Sequence, residues 1–150
     1  MFKNNLNDLV MGNSQSTQKV NFEDIQYSIK NSENHILINT LNENEQDCLI
    51  QNTIKAANEE VIINQLLKNG NKSIKIIIYG KNSNDEKVHK KYSQLLSLGF
   101  YNIYLYLGGL FEWLLLQDIY GSSEFPTTKK ELDLLKYKPN KVLNISLLEY

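Results

Sequence analysis

The sequence predicts one α/β domain with a mainly parallel central sheet and helices on both faces. Segments with strand character alternate along the chain with segments of helical periodicity, the order that builds parallel sheets. Lys75–Tyr79 holds three consecutive Ile, as expected of a central strand covered on both sides. The chain has 150 residues and no internal repeat, about the size of one domain.

The elements follow in order. Residues 1–19 read as a flexible leader, with Gly12 and Asn13 followed by the polar stretch Ser14–Lys19. Asn21 before Phe22, Ile25 and Ile29 gives a helix cap and a three-to-four-residue apolar spacing, hence a short helix. Ile36–Asn39 reads as a buried strand and Cys48–Ile50 as a second, shorter one. Glu59–Lys68 carries Ile62 and Leu66 on one helix face and stops at Asn69-Gly70. After the Ile-rich strand, Glu86–Leu98 puts Val88, Tyr92, Leu95 and Leu96 on one stripe, with Gly99 at the helix end. Asn102–Leu107 alternates Ile103, Leu105 and Leu107 with Tyr104 and Tyr106, a strand with one aliphatic and one aromatic face. Gly108-Gly109 turns the chain into Leu110–Tyr120, apolar on most sides and expected to be largely buried. Gly121–Thr128 is a loop holding Pro126, and Lys129–Leu135 reads as a last short helix. The domain is expected over 20–138, with 139–150 as a tail.

Composition narrows the classes of function. The chain is 41% hydrophobic and 22% charged, which suits a packed domain and not a disordered one. A formal net charge of −1 gives no electrostatic footprint for nucleic acid. All 16 basic residues are Lys, so no guanidinium fork is available to grip a carboxylate or phosphate bidentately. The sole cysteine, Cys48, rules out an intrachain disulfide and a Cys-rich zinc site, and the expected setting is intracellular and cytoplasmic. No run approaches the roughly 18 apolar residues of a membrane helix, and Met1–Val10 lacks the basic start and apolar core of a secretory signal.

Several of these residues resemble the rhodanese-like domain family. The resemblance lies in Ile76-Ile77-Ile78-Tyr79, a short loop, a helix ending Leu98-Gly99-Phe100, then Asn102–Leu107, Gly108-Gly109 and Trp113. The first half is similar more loosely: His35–Asn39 stands where the family has a strand ending in Asp, and Asn52–Ala57 stands where it has a Gly-His-Ile-x-Gly-Ala stretch. The similarity runs from about Val20 to Tyr120 and implies a three-layer rhodanese-like domain. Gly99, Gly108, Gly109 and Trp113 are also what a helix cap, a turn and a core require, so they point to a fold and not to an activity.

The resemblance further implies that active members open the loop after this strand with a Cys that carries a persulfide, its anion held by backbone N–H groups at a helix N-terminus. Here the loop is Gly80, Lys81, Asn82, Ser83, Asn84 and Asp85. Gly80 stands at the nucleophile position and cannot form a covalent intermediate. Asp85 or Glu86 stands where a basic or hydroxyl residue is expected, reversing the charge. Ser83 to Glu86 also fits a capping box, which would satisfy the helix end from within. The expectation is a catalytically inactive rhodanese-like domain, a pseudoenzyme that serves as a protein-interaction or structural module, without cofactor or metal. The alternative keeps small-molecule or anion binding at the loop, with weak or non-sulfurtransferase activity. In that reading Asp85 acts as a base or metal ligand, and His89 lies three residues from Glu86 and four from Asp85 on one helix face.

Three further segments bear on partners. Met11-Gly12-Asn13-Ser14-Gln15-Ser16 matches the N-myristoylation pattern, which operates only if Gly12 becomes the amino terminus, and membrane association is expected only in that case. A polar leader that matches by chance is the plainer reading. Tyr101, Tyr104 and Tyr106 suit either an interface or a sheet face under a helix. Val142–Leu148 is apolar enough to dock on this domain's own core or on a protein partner.

Overall fold

The computed structural model describes residues 17–143. Five strands, β1 (Gln18–Lys19), β2 (His35–Asn39), β3 (Thr53–Ile54), β4 (Lys75–Tyr79) and β5 (Ile103–Tyr106), form one sheet in the order β1-β5-β4-β2-β3. Every strand pair is parallel. Four helices alternate with them: α1 (Phe22–Lys30), α2 (Ala56–Lys68), α3 (Lys87–Ser97) and α4 (Gly109–Tyr120). Among the described residues no helix is long and apolar enough to cross a membrane.

Side-chain alternation along the strands builds the three layers. On one face Leu37, Ile77, Tyr79 and Tyr106 pack with Ile25 of α1 and Leu110, Trp113 and Leu114 of α4. On the other, Ile38, Ile76, Ile78, Ile103 and Leu105 pack with Ile63 of α2 and Val88 and Leu95 of α3. The Ile run of β4 therefore feeds both cores, which is why it contains no polar residue between Ile76 and Tyr79.

Local signals account for most boundaries. Asn21 caps α1 with its side-chain oxygen on the Glu23 and Asp24 N–H groups, while Asp24 returns a bond to the Asn21 N–H. Gly70 and Gly99 follow α2 and α3 in the left-handed region, at φ +72° and +103°.

Several expectations are corrected. Gln18–Lys19, within the expected leader, pairs with β5 as an edge strand. Cys48–Ile50 is no strand: only Ile50 makes an isolated antiparallel bridge, to Thr127, and the three residues are buried because the loop folds under the α1–α4 layer. The short strand nearby is instead Thr53–Ile54. α2 starts at Ala56, before the Glu59 read from sequence, because Gln46 Oε1, ten residues upstream, accepts the Ala56 N–H at 2.9 Å. Leu96 is exposed on α3, and α4 leaves Leu115, Ile119 and Tyr120 exposed among the described residues, so it is less buried than its apolar sequence implies. Lys129–Leu135 is not a helix; a 3₁₀ turn at Leu134–Tyr137 takes its place and buries Tyr137. Of the three tyrosines, Tyr106 is buried, Tyr104 packs against the α1–α4 core and Tyr101 is exposed. Val142 and Leu143 are exposed, whereas 144–148 and the Met11–Ser16 motif with Gly12 lie outside the described residues.

Ile78 is fully buried on the α2–α3 side, so Ile78→Ala should lower unfolding free energy by about 2–5 kcal/mol. Val61→Ala, on the exposed side of α2, should change it by no more than about 0.5 kcal/mol; urea denaturation compares the two.

Candidate functional site

Parallel sheets place their ligand sites beyond the carboxyl ends of the strands, where adjacent connections diverge. Here β2 and β4 run in register with Asn39 beside Tyr79, so the chain leaves both strands side by side at Thr40 and Gly80. The Thr40 N–H donates to the Tyr79 carbonyl at 3.0 Å, extending the ladder by one step.

The loop Gly80–Asp85 is held from three sides. From α4, the Leu110 N–H donates to the Gly80 carbonyl at 2.9 Å and the Phe111 N–H to the Lys81 carbonyl at 3.0 Å. That approach requires a glycine at 109: its φ is +71°, and a Cβ there would lie 2.8 Å from the Gly80 oxygen and 3.0 Å from Asn82 Cα. From the C-terminal segment, the Tyr137 carbonyl accepts Asn82 Nδ2 at 2.9 Å. From the turn after β2, Glu45 Oε2 pairs with Lys81 Nζ at 2.9 Å.

Inside the loop, Asp85 folds back over its first residue. Its Oδ2 accepts the Lys81 N–H and the Thr40 hydroxyl, both at 3.0 Å, and its Oδ1 accepts the Lys87 N–H at the start of α3, also at 3.0 Å. The helix end is thus capped by Asp85; the Ser83–Glu86 capping box is not formed, and Glu86 makes no side-chain cap bond. A carboxylate suits this place because first-turn N–H groups have no intrahelical acceptor and the helix dipole adds positive potential. The consequence for Gly80 is steric. A Cβ built there would collide with Asp85 Oδ2 and come within 2.8 Å of Asp85 Cβ and Cγ. The space above the first loop residue belongs to the Asp85 side chain.

The turn after β2 rests on a neutral amide cluster. Buried Asn39 accepts the Leu41 N–H at 3.0 Å and Gln46 Nε2 at 2.8 Å through Oδ1, and donates from Nδ2 to the Ile54 carbonyl at 3.1 Å. Asn39 thereby fixes the turn that presents Thr40 and Glu45. Burial works to raise the Glu45 pKa, but the hydrogen bonds from Lys81 and the Asn42 N–H, with the charges of Lys81 and Lys87, hold it below the ordinary carboxylate range.

Other candidates fall away from the loop. Cys48 is buried, donates to the Lys129 carbonyl at 3.2 Å, and has its thiol pushed up by burial and by Glu131, which disfavours the thiolate. His89 is exposed on α3 and Glu86 is exposed just before it, while Asp85 turns inward, so the Asp85–His89 pair does not assemble; His35 Nδ1 sits 2.9 Å from the Asn31 carbonyl. Among the described residues no group of three or more His, Cys, Asp and Glu side chains is placed to hold a metal ion. A cleft of about 800 Å³ between α2 and α3 is lined by neither His nor Cys, and the Lys91–Glu59 ion pair, at 2.6 Å, stands on its wall.

Sequence reading missed Thr40, Glu45 and Tyr137. Thr40 was accessible in principle, since in-register pairing of Asn39 with Tyr79 puts the next residues, Thr40 and Gly80, side by side. Glu45 lies 36 residues from Lys81 and Tyr137 lies 55 from Asn82, with no periodicity to connect them.

A family model described as "Rhodanese-like domain" matches residues 21–116. Among solved structures, a yeast protein tyrosine phosphatase of the rhodanese family is similar at 13% identity and a TM-score of 0.55, over 81% of this chain and 99% of that one. A rhodanese-like domain from an Anabaena protein is similar at 18% identity and 0.52, over 86% and 89%. A Bacillus halodurans protein is similar at 20% and 0.53, over 71% and 76%. No curated protein matches the sequence.

Because the folded pKa of Glu45 is lowered, its contribution to stability is fully present above the unfolded value near 4.5 and disappears as pH falls through the folded value. Lys81→Gln removes the largest favourable cause of that shift. Urea midpoints measured from pH 7 down to pH 3 should therefore fall less steeply in Lys81→Gln than in the parent chain below about pH 4.5.

Proposed function

The chain belongs to the rhodanese-like domain family, and we propose that within it this chain is a non-catalytic member that works as a protein-interaction module. One observation carries the reading: the Asp85 carboxylate occupies the place where a side chain on the first loop residue would stand, and that residue is Gly80. The family's covalent chemistry needs a nucleophile at the head of the loop and open N–H groups to hold an anion. Gly80 supplies no nucleophile, and the N–H groups of Lys81 and Lys87 are already bound by Asp85. An incoming thiosulfate or phosphate would have to expel a carboxylate that accepts three hydrogen bonds, each worth about 1.5–3 kcal/mol when the acceptor is charged. It would also meet that negative charge in the same small volume. The same arrangement weighs against the anion-binding alternative at this loop and against chemistry like that of the yeast phosphatase.

Cys48 offers no substitute. It is buried under the α1–α4 layer with a raised pKa, and thiolate is the reactive form. What remains is a stable three-layer scaffold with its mouth closed by its own side chain, a condition suited to presenting surfaces and not to turnover. The exposed apolar residues Leu132, Leu135, Val142 and Leu143 lie on the segment that passes the loop and give a partner something to bury.

Purified chain incubated with thiosulfate and cyanide, and separately with an aryl phosphate, should give rates equal to buffer. Intact mass after thiosulfate treatment should show no added sulfur. Turnover above buffer, above all turnover abolished by Cys48→Ser, would reject the non-catalytic reading.

A further inference from the structure

Beside the closed loop runs an open groove of about 560 Å³, bounded by the turn after β2, the Gly80–Asp85 loop, the start of α3 and the segment 135–142. Four lysines line it, Lys81, Lys87, Lys136 and Lys138, against two carboxylates, Glu45 and Asp85. The groove is therefore cationic on a chain whose formal net charge is −1.

We propose that this groove receives a peptide segment of a partner protein in which carboxylate side chains are interleaved with apolar ones. The assignment rests on the interaction-module reading and names the chemistry of its partner.

The arrangement of the lysines selects a peptide over a small anion. A single phosphate or sulfate needs donors that converge on one point, and these do not. Lys81 is turned to Glu45 at 2.9 Å and Lys136 to Glu131 at 2.8 Å, while Lys87 donates to Asn42 Oδ1 at 3.1 Å. Two backbone N–H groups at the loop mouth, those of Lys81 and Lys87, are already bound to Asp85. Without Arg there is no bidentate fork to hold a phosphate. Ammonium groups that are each directed to a different partner instead suit several carboxylates at intervals along a chain. Leu41, Leu135 and Val142 also line the groove, and Leu135 and Val142 are among the exposed large apolar side chains of the domain. A partner with only acidic residues would leave that apolar surface in water; one with only apolar residues would leave Lys87 and Lys138 without counter-charge. The lowered Glu45 pKa, which the Lys81 and Lys87 charges help to cause, marks the same positive potential.

The test uses the full chain and a fluorescein-labelled peptide of Glu-Glu-Leu repeats, with a Gln-Gln-Leu peptide and inorganic phosphate as comparison probes. At low salt the acidic peptide should bind, with amide NMR shifts confined to residues 41–45, 81–87 and 135–142, and added salt should weaken it. The double variant Lys87→Gln/Lys138→Gln should lose about fivefold in affinity, whereas Lys68→Gln, at the far end of α2, should lose nothing. Four results would each overturn the assignment: no binding, equal binding of the Gln-Gln-Leu peptide, shifts centred on the α2–α3 cleft, or displacement by phosphate at equal concentration. Any of these with sulfurtransfer still absent removes the assignment alone. Turnover through Cys48 would remove the reading beneath it.

Discussion

A parallel sheet that ends with two strands in register creates a local demand for an acceptor. The chain leaves β2 at Thr40 and β4 at Gly80, and α3 opens just above them with unpaired N–H groups and the positive end of its dipole. A hydrogen-bond acceptor is favoured there, and a carboxylate above all. In this chain it is Asp85, whose two oxygens bind the Thr40 hydroxyl and the Lys81 and Lys87 N–H groups. That requirement ties the loop together and sets its shape. It also explains why position 80 carries no side chain, since the carboxylate fills the volume a Cβ would take. Glycine at 80 and aspartate at 85 are one structural feature.

The same parts that close the loop shape the surface around it. α4 donates its first N–H groups to the loop carbonyls, and Gly109 permits the contact. The C-terminal segment accepts Asn82 through the Tyr137 carbonyl, drawing Lys136, Lys138 and Val142 alongside. Because every basic group is a lysine, the charge around the groove consists of separate ammonium points, each on its own stem, and not of planar forks.

Much of this was legible in the sequence, for physical reasons that differ between elements. The Ile run of β4, the Asn21 cap and Gly99 after α3 are local signals, and local signals survive without a structure. That the loop after β4 opens on Gly80 and carries Asp85 near its end is readable for the same reason. Contacts made at long sequence separation were not. The start of α2 depends on a side chain ten residues away, the Lys129–Leu135 stretch yields to a 3₁₀ turn that buries Tyr137, and Cys48–Ile50 is buried by tertiary packing, not by pairing. At the loop the sequence pointed to Ser83 as the cap. Asp85 takes the role because it reaches the Lys87 N–H and the Thr40 hydroxyl together, a geometry that exists only once β2 stands beside β4.

The closed loop depends on Asp85 occupying the side-chain space of Gly80, and a double-mutant cycle in unfolding free energy reads that dependence directly. Gly80→Ala is measured in the parent chain and again in an Asp85→Gly background. If the two positions compete for one volume, Gly80→Ala costs more than about 1 kcal/mol in the parent and close to nothing once Asp85 is removed. Equal costs in the two backgrounds would mean that the positions are independent, and would contradict the account.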